Sequence, residues 1–146
     1  MNAQPIEIIL VEDNPDDAAL TKRAFKTSNL SNNLIHLKNG EEAISFIFEG
    51  KEFDGTKFTE NPKVILLDLK MPKVNGIEVL EKIKSNEKTK SIPVVILTSS
   101  SEDPDIKKCY ELGANSYIVK PVEFEKFSKT VAELGLYWLV LNKVTK

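Results

Sequence analysis

Ile6-Glu7-Ile8-Ile9-Leu10-Val11-Glu12-Asp13-Asn14-Pro15-Asp16-Asp17 decides the fold. A β-branched, nearly continuous apolar run stops abruptly at Glu12-Asp13 and passes into a polar turn whose acids open the next helix. Such a run fits a strand buried on both faces, as in a parallel sheet, better than a strand with one wet face. The helix after it carries Ala18, Ala19, Leu20, Ala24 and Phe25 and is expected to end near Ser28-Asn29.

The same alternation continues along the chain. Leu34–Leu37 reads as a weaker strand and Glu41–Phe48 as a helix. Val64-Ile65-Leu66-Leu67 is a strong strand ending at Asp68, followed by an amphipathic helix from Gly76 to Lys84. Val94–Leu97 ends at Thr98, and Pro104–Leu112 reads as a helix with proline at its first position. Ser116–Val119 ends at Lys120, and a long last helix is expected from Phe124 towards Val144, with Gly135 as a weak point. Gly50 to Pro62 reads as a surface loop. Strands alternating with helices imply an α/β fold with a parallel sheet, formed by residues 1–146 as a single domain.

Composition narrows the function classes. The chain has 146 residues, 41% of them hydrophobic, and a net charge of −2. It is neither basic enough for a general nucleic-acid binder nor polar enough for a disordered chain. The single cysteine, Cys109, cannot form an internal disulfide and is expected in the core. No stretch resembles a signal peptide or a membrane span, so a cytoplasmic protein without nucleic-acid or membrane partners is expected.

The chemistry gathers where the strands stop. Glu12 and Asp13, Asp68, Thr98 and Lys120 each follow an apolar run, so all five are expected at the carboxyl edge of the sheet, where open α/β sheets bind ligands. Asp13 and Asp68 are hard oxygen ligands suited to Mg²⁺, and Glu12 can add its charge through a bound water. Lys120 is a cation for phosphate oxygens and Thr98 a hydroxyl donor. With the metal and Lys120 offsetting acid repulsion, Asp68 is expected to stay ionised and to attack phosphorus, giving an aspartyl phosphate.

Together, Glu12-Asp13, Leu67-Asp68-Leu69-Lys70-Met71-Pro72, Gly76, Thr98-Ser99 and Lys120-Pro121 resemble the receiver domain of two-component response regulators, the chemotaxis-regulator type, over nearly the whole chain. The resemblance implies a flavodoxin-like doubly wound (βα)5 fold with sheet order 2-1-3-4-5. It implies phosphorylation of Asp68 by a sensor histidine kinase, and a switch rather than an enzyme, with Mg²⁺-dependent self-phosphorylation and slow autodephosphorylation. It also implies Mg²⁺ held by Glu12, Asp13, Asp68 and the backbone carbonyl of Lys70, a switch pair of Thr98 and Tyr117, and a cis peptide before Pro121.

The side chain of Lys70 is expected to extend over the site. His36 reads as structural or surface. The Gly50–Pro62 loop and the Tyr137-Trp138-Leu139 tail resemble single-domain regulators that serve phytochrome-type histidine kinases. Output is expected through protein contact, as a homodimer formed by the fourth helix, fifth strand and fifth helix together with Tyr137, Trp138 and Leu141. A haloacid-dehalogenase-like phosphatase would need an acid where Lys70 stands, and a nucleotide-binding enzyme would need a Gly-rich loop after a strand. A receiver-like adaptor that is never phosphorylated is the remaining alternative.

Overall fold

The computed structural model describes residues 7–27, 34–58 and 62–135. The elements follow in the order β1 (Ile8–Val11), α1 (Pro15–Lys26), β2 (Leu34–Leu37), α2 (Gly40–Phe48) and β3 (Val64–Asp68). After these come α3 (Gly76–Ser85), β4 (Val94–Thr98), α4 (Asp105–Glu111), β5 (Ser116–Val119) and α5 (Phe124–Glu133). The sheet order is β2-β1-β3-β4-β5 and every pair is parallel. This is the flavodoxin-like arrangement, and the strand order reverses between β1 and β3.

Burial explains which strands sit where. β1, β3 and β4 are buried along their whole length, and they are the three inner strands. β2 and β5 carry partly exposed positions and lie at the edges. Side chains alternate across each strand. Ile9, Val11, Ile65, Leu67 and Ile96 therefore pack with Phe46, Leu80, Ile83 and Cys109 on one face. Ile8, Leu10, Val64, Leu66, Val95 and Leu97 pack with Phe25 and Phe127 on the other, where these two rings meet at 4.6 Å.

Three helices that start at the carboxyl edge are capped by asparagine. The Asn14 carboxamide accepts the backbone N–H groups of Asp16 and Asp17, Asn39 accepts that of Glu42, and Asn75 accepts that of Glu78. Glu78 completes a capping box by accepting the Asn75 N–H.

Several boundaries differ from the sequence reading. α1 ends at Lys26, before Ser28-Asn29. Pro104 is the N-cap of α4 rather than its first residue, and its φ of −65° fits either position. α5 ends at Glu133, and the expected continuation towards Val144 falls beyond residue 135, outside the described residues. Gly135 takes a φ of 79°, the left-handed conformation that ends helices and that glycine adopts without steric cost. Tyr137, Trp138 and Leu141 lie outside the described residues. The Gly50–Pro62 connection is more ordered than a plain loop. Phe53 and Thr56 pair across an Asp54-Gly55 turn, and Phe53 and Phe58 stand edge-on to Phe46 at 5.9 and 5.8 Å. No helix among the described residues is long and apolar enough to cross a membrane.

Candidate phosphoacceptor and metal site

The register of the sheet brings the strand ends together. Val11 pairs with Leu67, so Glu12 and Asp68 come level as the next residues of β1 and β3. Thr98 pairs with Val119, which sets Lys120 one residue beyond it. Glu12, Asp68 and Thr98 are buried, Asp13 is half-buried, and the Lys120 side chain is 17% exposed.

The Lys120 ammonium stands among three carboxylates. It lies 2.9 Å from Asp17 Oδ2, 3.3 Å from Glu12 Oε1 and 3.4 Å from Asp68 Oδ1. Glu12 is held from two further sides. Its Oε2 accepts the Asn14 N–H at 3.2 Å, and its backbone carbonyl lies 2.9 Å from His36 Nε2. A carbonyl only accepts, so this nitrogen of His36 carries the proton. His36, read from sequence as structural or surface, thus fixes the backbone of the acidic turn from the edge strand.

Carboxylate oxygens of Glu12, Asp13 and Asp68 all lie within 4.8 Å of one another. Neighbouring oxygens on an octahedral dication of Mg²⁺ size are about 3 to 4 Å apart, so the three acids fit such an ion. Burial, reinforced by the hydrogen bond and charge of Glu12, raises the Asp68 carboxyl from 3.8 to about 8 against the opposing pull of Lys120. With protein groups alone the pocket therefore favours the protonated form of Asp68. The sequence reading relied on the metal and Lys120 together to keep the acceptor ionised, and the direction of this shift gives the metal the larger part. Burial pulls Lys120 downward, but its bond to Asp17 and the charges of Asp68 and Glu12 outweigh this and raise it above 10.5.

The Thr98 hydroxyl is engaged by the loop between β4 and α4. It lies 3.2 Å from both the Ser100 carbonyl and Asp103 Oδ2, and one O–H can serve only one of them at a time. The other oxygen of Asp103 accepts the Asp105 N–H at 2.8 Å, at the first turn of α4. Tyr117 packs edge-to-face on Tyr110, with centroids 6.4 Å apart. The Lys70 ammonium is 3.3 Å from Asp105 Oδ2, so it ties the loop after β3 to α4. That pair is exposed and adds little stability. The Lys120-Pro121 peptide is cis.

Sequence reasoning missed Asp17. With Asn14 as cap and Pro15 first in the helix, Asp17 is the third helical residue. At that position a side chain leans back towards the cap, and so towards the strand edge. The sequence carried this signal, but the acid was read only as favouring the helix dipole.

The fold and site define a doubly wound α/β protein with an acidic, lysine-containing pocket where the strand order reverses. The response regulator receiver domain model matches residues 8–132, and the chain belongs to that family. Receiver domains are phosphoacceptor switches rather than enzymes in the usual sense. The chain is 40% identical to the probable methanogenesis regulatory protein FilR2 of Methanothrix harundinacea, over 95% of this chain and 87% of that protein. It is 38% identical to response regulator Rcp1 of Synechocystis sp., over 92% of this chain and 90% of that one. The Mn²⁺-bound form of Rcp1 superposes with a TM-score of 0.71, covering 92% and 95% of the two chains. The bacteriophytochrome response regulator RtBRR superposes with a TM-score of 0.81 at 47% identity, covering 92% of this chain and 81% of that one.

Proposed function

We propose that this chain accepts a phosphoryl group on Asp68 from a sensor histidine kinase and passes the signal on by protein contact. The observation that carries the proposal is the pocket itself. Buried Asp68 at the end of β3 stands within 4.8 Å of the Glu12 and Asp13 carboxylates and 3.4 Å from the Lys120 ammonium. Glu12, Asp13, Asp68 and the backbone carbonyl of Lys70 would hold Mg²⁺, which would supply positive charge against the negative charge of the transferring group. An Asp68 carboxylate oxygen attacks phosphorus in line, and the bond from phosphorus to the kinase imidazole breaks. Lys120 donates to a phosphoryl oxygen. Thr98 then turns its hydroxyl from Asp103 to the phosphoryl group, and Tyr117 moves with it.

The likeness to a bacteriophytochrome response regulator supports a phytochrome-type kinase as the donor. A single receiver domain with a charge near zero and no membrane-spanning helix among the described residues fits a role in the cytoplasm.

Intact mass after incubation with acetyl phosphate and Mg²⁺ tests the acceptor. One phosphoryl adduct is expected, absent without the metal and absent in Asp68→Asn. The same labelled sample is expected to shift the amide resonances from Thr98 to Lys120. No adduct, where another receiver labels well, would leave the adaptor that is never phosphorylated. Identical spectra with and without the adduct would refute the Thr98–Tyr117 switch.

A homodimer through α4, β5 and α5 and the segment with Tyr137, Trp138 and Leu141 is the proposed output form. Its support is Tyr110 on α4, 46% exposed beside Tyr117. Sedimentation velocity is expected to show a dimer that Tyr110→Glu converts to monomer. A wild-type monomer, with and without the adduct, contradicts it.

A further inference from the structure

The ammonium of Lys120 has three N–H groups, and three carboxylates surround it at hydrogen-bond distance. The partners are not equal. Glu12 and Asp68 have side chains 0% and 4% exposed, whereas the Asp17 side chain is 32% exposed and makes the shortest contact, 2.9 Å. The backbone of Asp17 is fixed. Its N–H donates to the Asn14 carboxamide at 3.0 Å, and its carbonyl accepts the hydroxyl of buried Thr21 at 3.0 Å. Its carboxylate can leave Lys120 for water by a change of rotamer, without disturbing α1.

A phosphoryl group on Asp68 draws the ammonium outward with the N–H that faced Asp68, so the contact to Glu12 or to Asp17 must yield. Giving up Glu12 would strand a fully buried carboxylate, at a high desolvation cost. Giving up Asp17 strands nothing, because water takes over its oxygens. Resting on the reading of Asp68 as the acceptor, we infer that Asp17 is a positioning residue that holds Lys120 in the unphosphorylated protein and is displaced from it by the phosphoryl group. The arriving group competes with Asp17 for the same ammonium, and Asp17 thereby lowers the affinity of the pocket for a phosphoryl group.

Calorimetric titration with beryllofluoride, a phosphoryl mimic, in the presence of Mg²⁺ tests this on four proteins: wild type, Asp17→Asn, Asp17→Glu and Asp16→Asn. Asp16 is exposed, adjacent in the chain and outside the Lys120 contacts, so Asp16→Asn makes the same change in net charge without touching the lysine. Asp17→Asn is expected to bind the mimic about fivefold more tightly, the equivalent of one partly exposed ion pair. Asp16→Asn is expected to change affinity by less than about twofold, because exposed charges are screened. Asp17→Glu keeps a carboxylate within reach of Lys120 and is expected to match wild type. Equal tightening in Asp17→Asn and Asp16→Asn would reduce the effect to general charge and overturn the inference. Weaker binding by Asp17→Asn would mean that Asp17 presents Lys120 to the phosphoryl group, and would overturn it too. Failure of the wild type to bind the mimic at all would instead overturn the acceptor reading beneath it.

Discussion

Metal-free protein is expected to lose stability steadily as the pH rises from about 5 to 8, and Asp68→Asn to abolish most of that loss. The Asp68 carboxyl titrates at 3.8 when exposed and at about 8 in the folded pocket. Between those values the folded state binds a proton that the unfolded state has released. Stability therefore falls with rising pH across this window, by up to about 1.4 kcal/mol per pH unit from this one group. Lys120 does not contribute to the slope. Its titration is raised above 10.5, so its stabilisation is complete below that value and constant from 5 to 8.

Asparagine keeps the shape of the acceptor and removes the ionisation. Asp68→Asn is thus expected to exceed the wild type by at least about 2 kcal/mol at pH 8 with a chelator present, and to approach it at pH 5. Saturating Mg²⁺ should stabilise the wild type more at pH 8 than at pH 5, because the ion favours the carboxylate that the proton would occupy. Urea unfolding at a series of pH values reads all three effects. A flat wild-type profile in chelator would show that Asp68 ionises freely without metal.

Gly76→Ala is expected to destabilise the fold by about 2–4 kcal/mol and to slow labelling of Asp68. Gly76 opens α3, and its N–H donates to the Leu69 carbonyl at 3.0 Å. A methyl group there would fall against the Asp68 carbonyl oxygen, 2.8 Å from Leu69 Cα and 3.1 Å from the Asp68 carbonyl carbon. All three atoms are backbone, so no side chain can rotate aside. The strand end carrying the acceptor must move, or the helix must. Alanine is the better helix former by about 1 kcal/mol, so propensity alone would stabilise the variant, and the sign of the change separates steric from conformational effects. Equilibrium unfolding and the rate of mass gain with acetyl phosphate give the two readouts. A variant as stable as wild type would place the β3 end farther from α3.

Much of this was legible because the sheet converts a one-dimensional boundary into a place. Wherever an apolar run such as Val64–Leu67 stops, the next side chain lies at the carboxyl edge, so Asp68 and Lys120 could be assigned to one pocket from sequence. Other features needed coordinates. His36 supports Glu12 across 24 residues of chain, and nothing local announces the contact. Asp103 takes the Thr98 hydroxyl through a loop whose path the sequence leaves open. α5 stops at Glu133, beside the weak point expected at Gly135, although apolar residues recur at spacings of three and four on both sides of that glycine. Periodicity reports which face would be buried, not whether the backbone stays helical. Phe53 and Phe58 sat inside a stretch judged by its polar residues, and their contacts with Phe46 turn that stretch into part of the packing.

The helix starts around the pocket divide by the kind of group that secures them. α1, α2 and α3 each begin on a carboxamide, which has no protonation state to lose and does not compete for a cation. A chelator or a new phosphate can redistribute charge in the pocket without breaking these three carboxamide caps. α4 is different. Pro104 offers no side-chain bond, and the backbone N–H of Asp105 leans on Asp103, an anion that Thr98 also uses. Whatever draws the Thr98 hydroxyl away alters a tether of α4 and leaves the three carboxamide caps in place. The caps of three helices are thus secured by neutral groups, while the start of α4 is tied to the hydroxyl that answers events at Asp68.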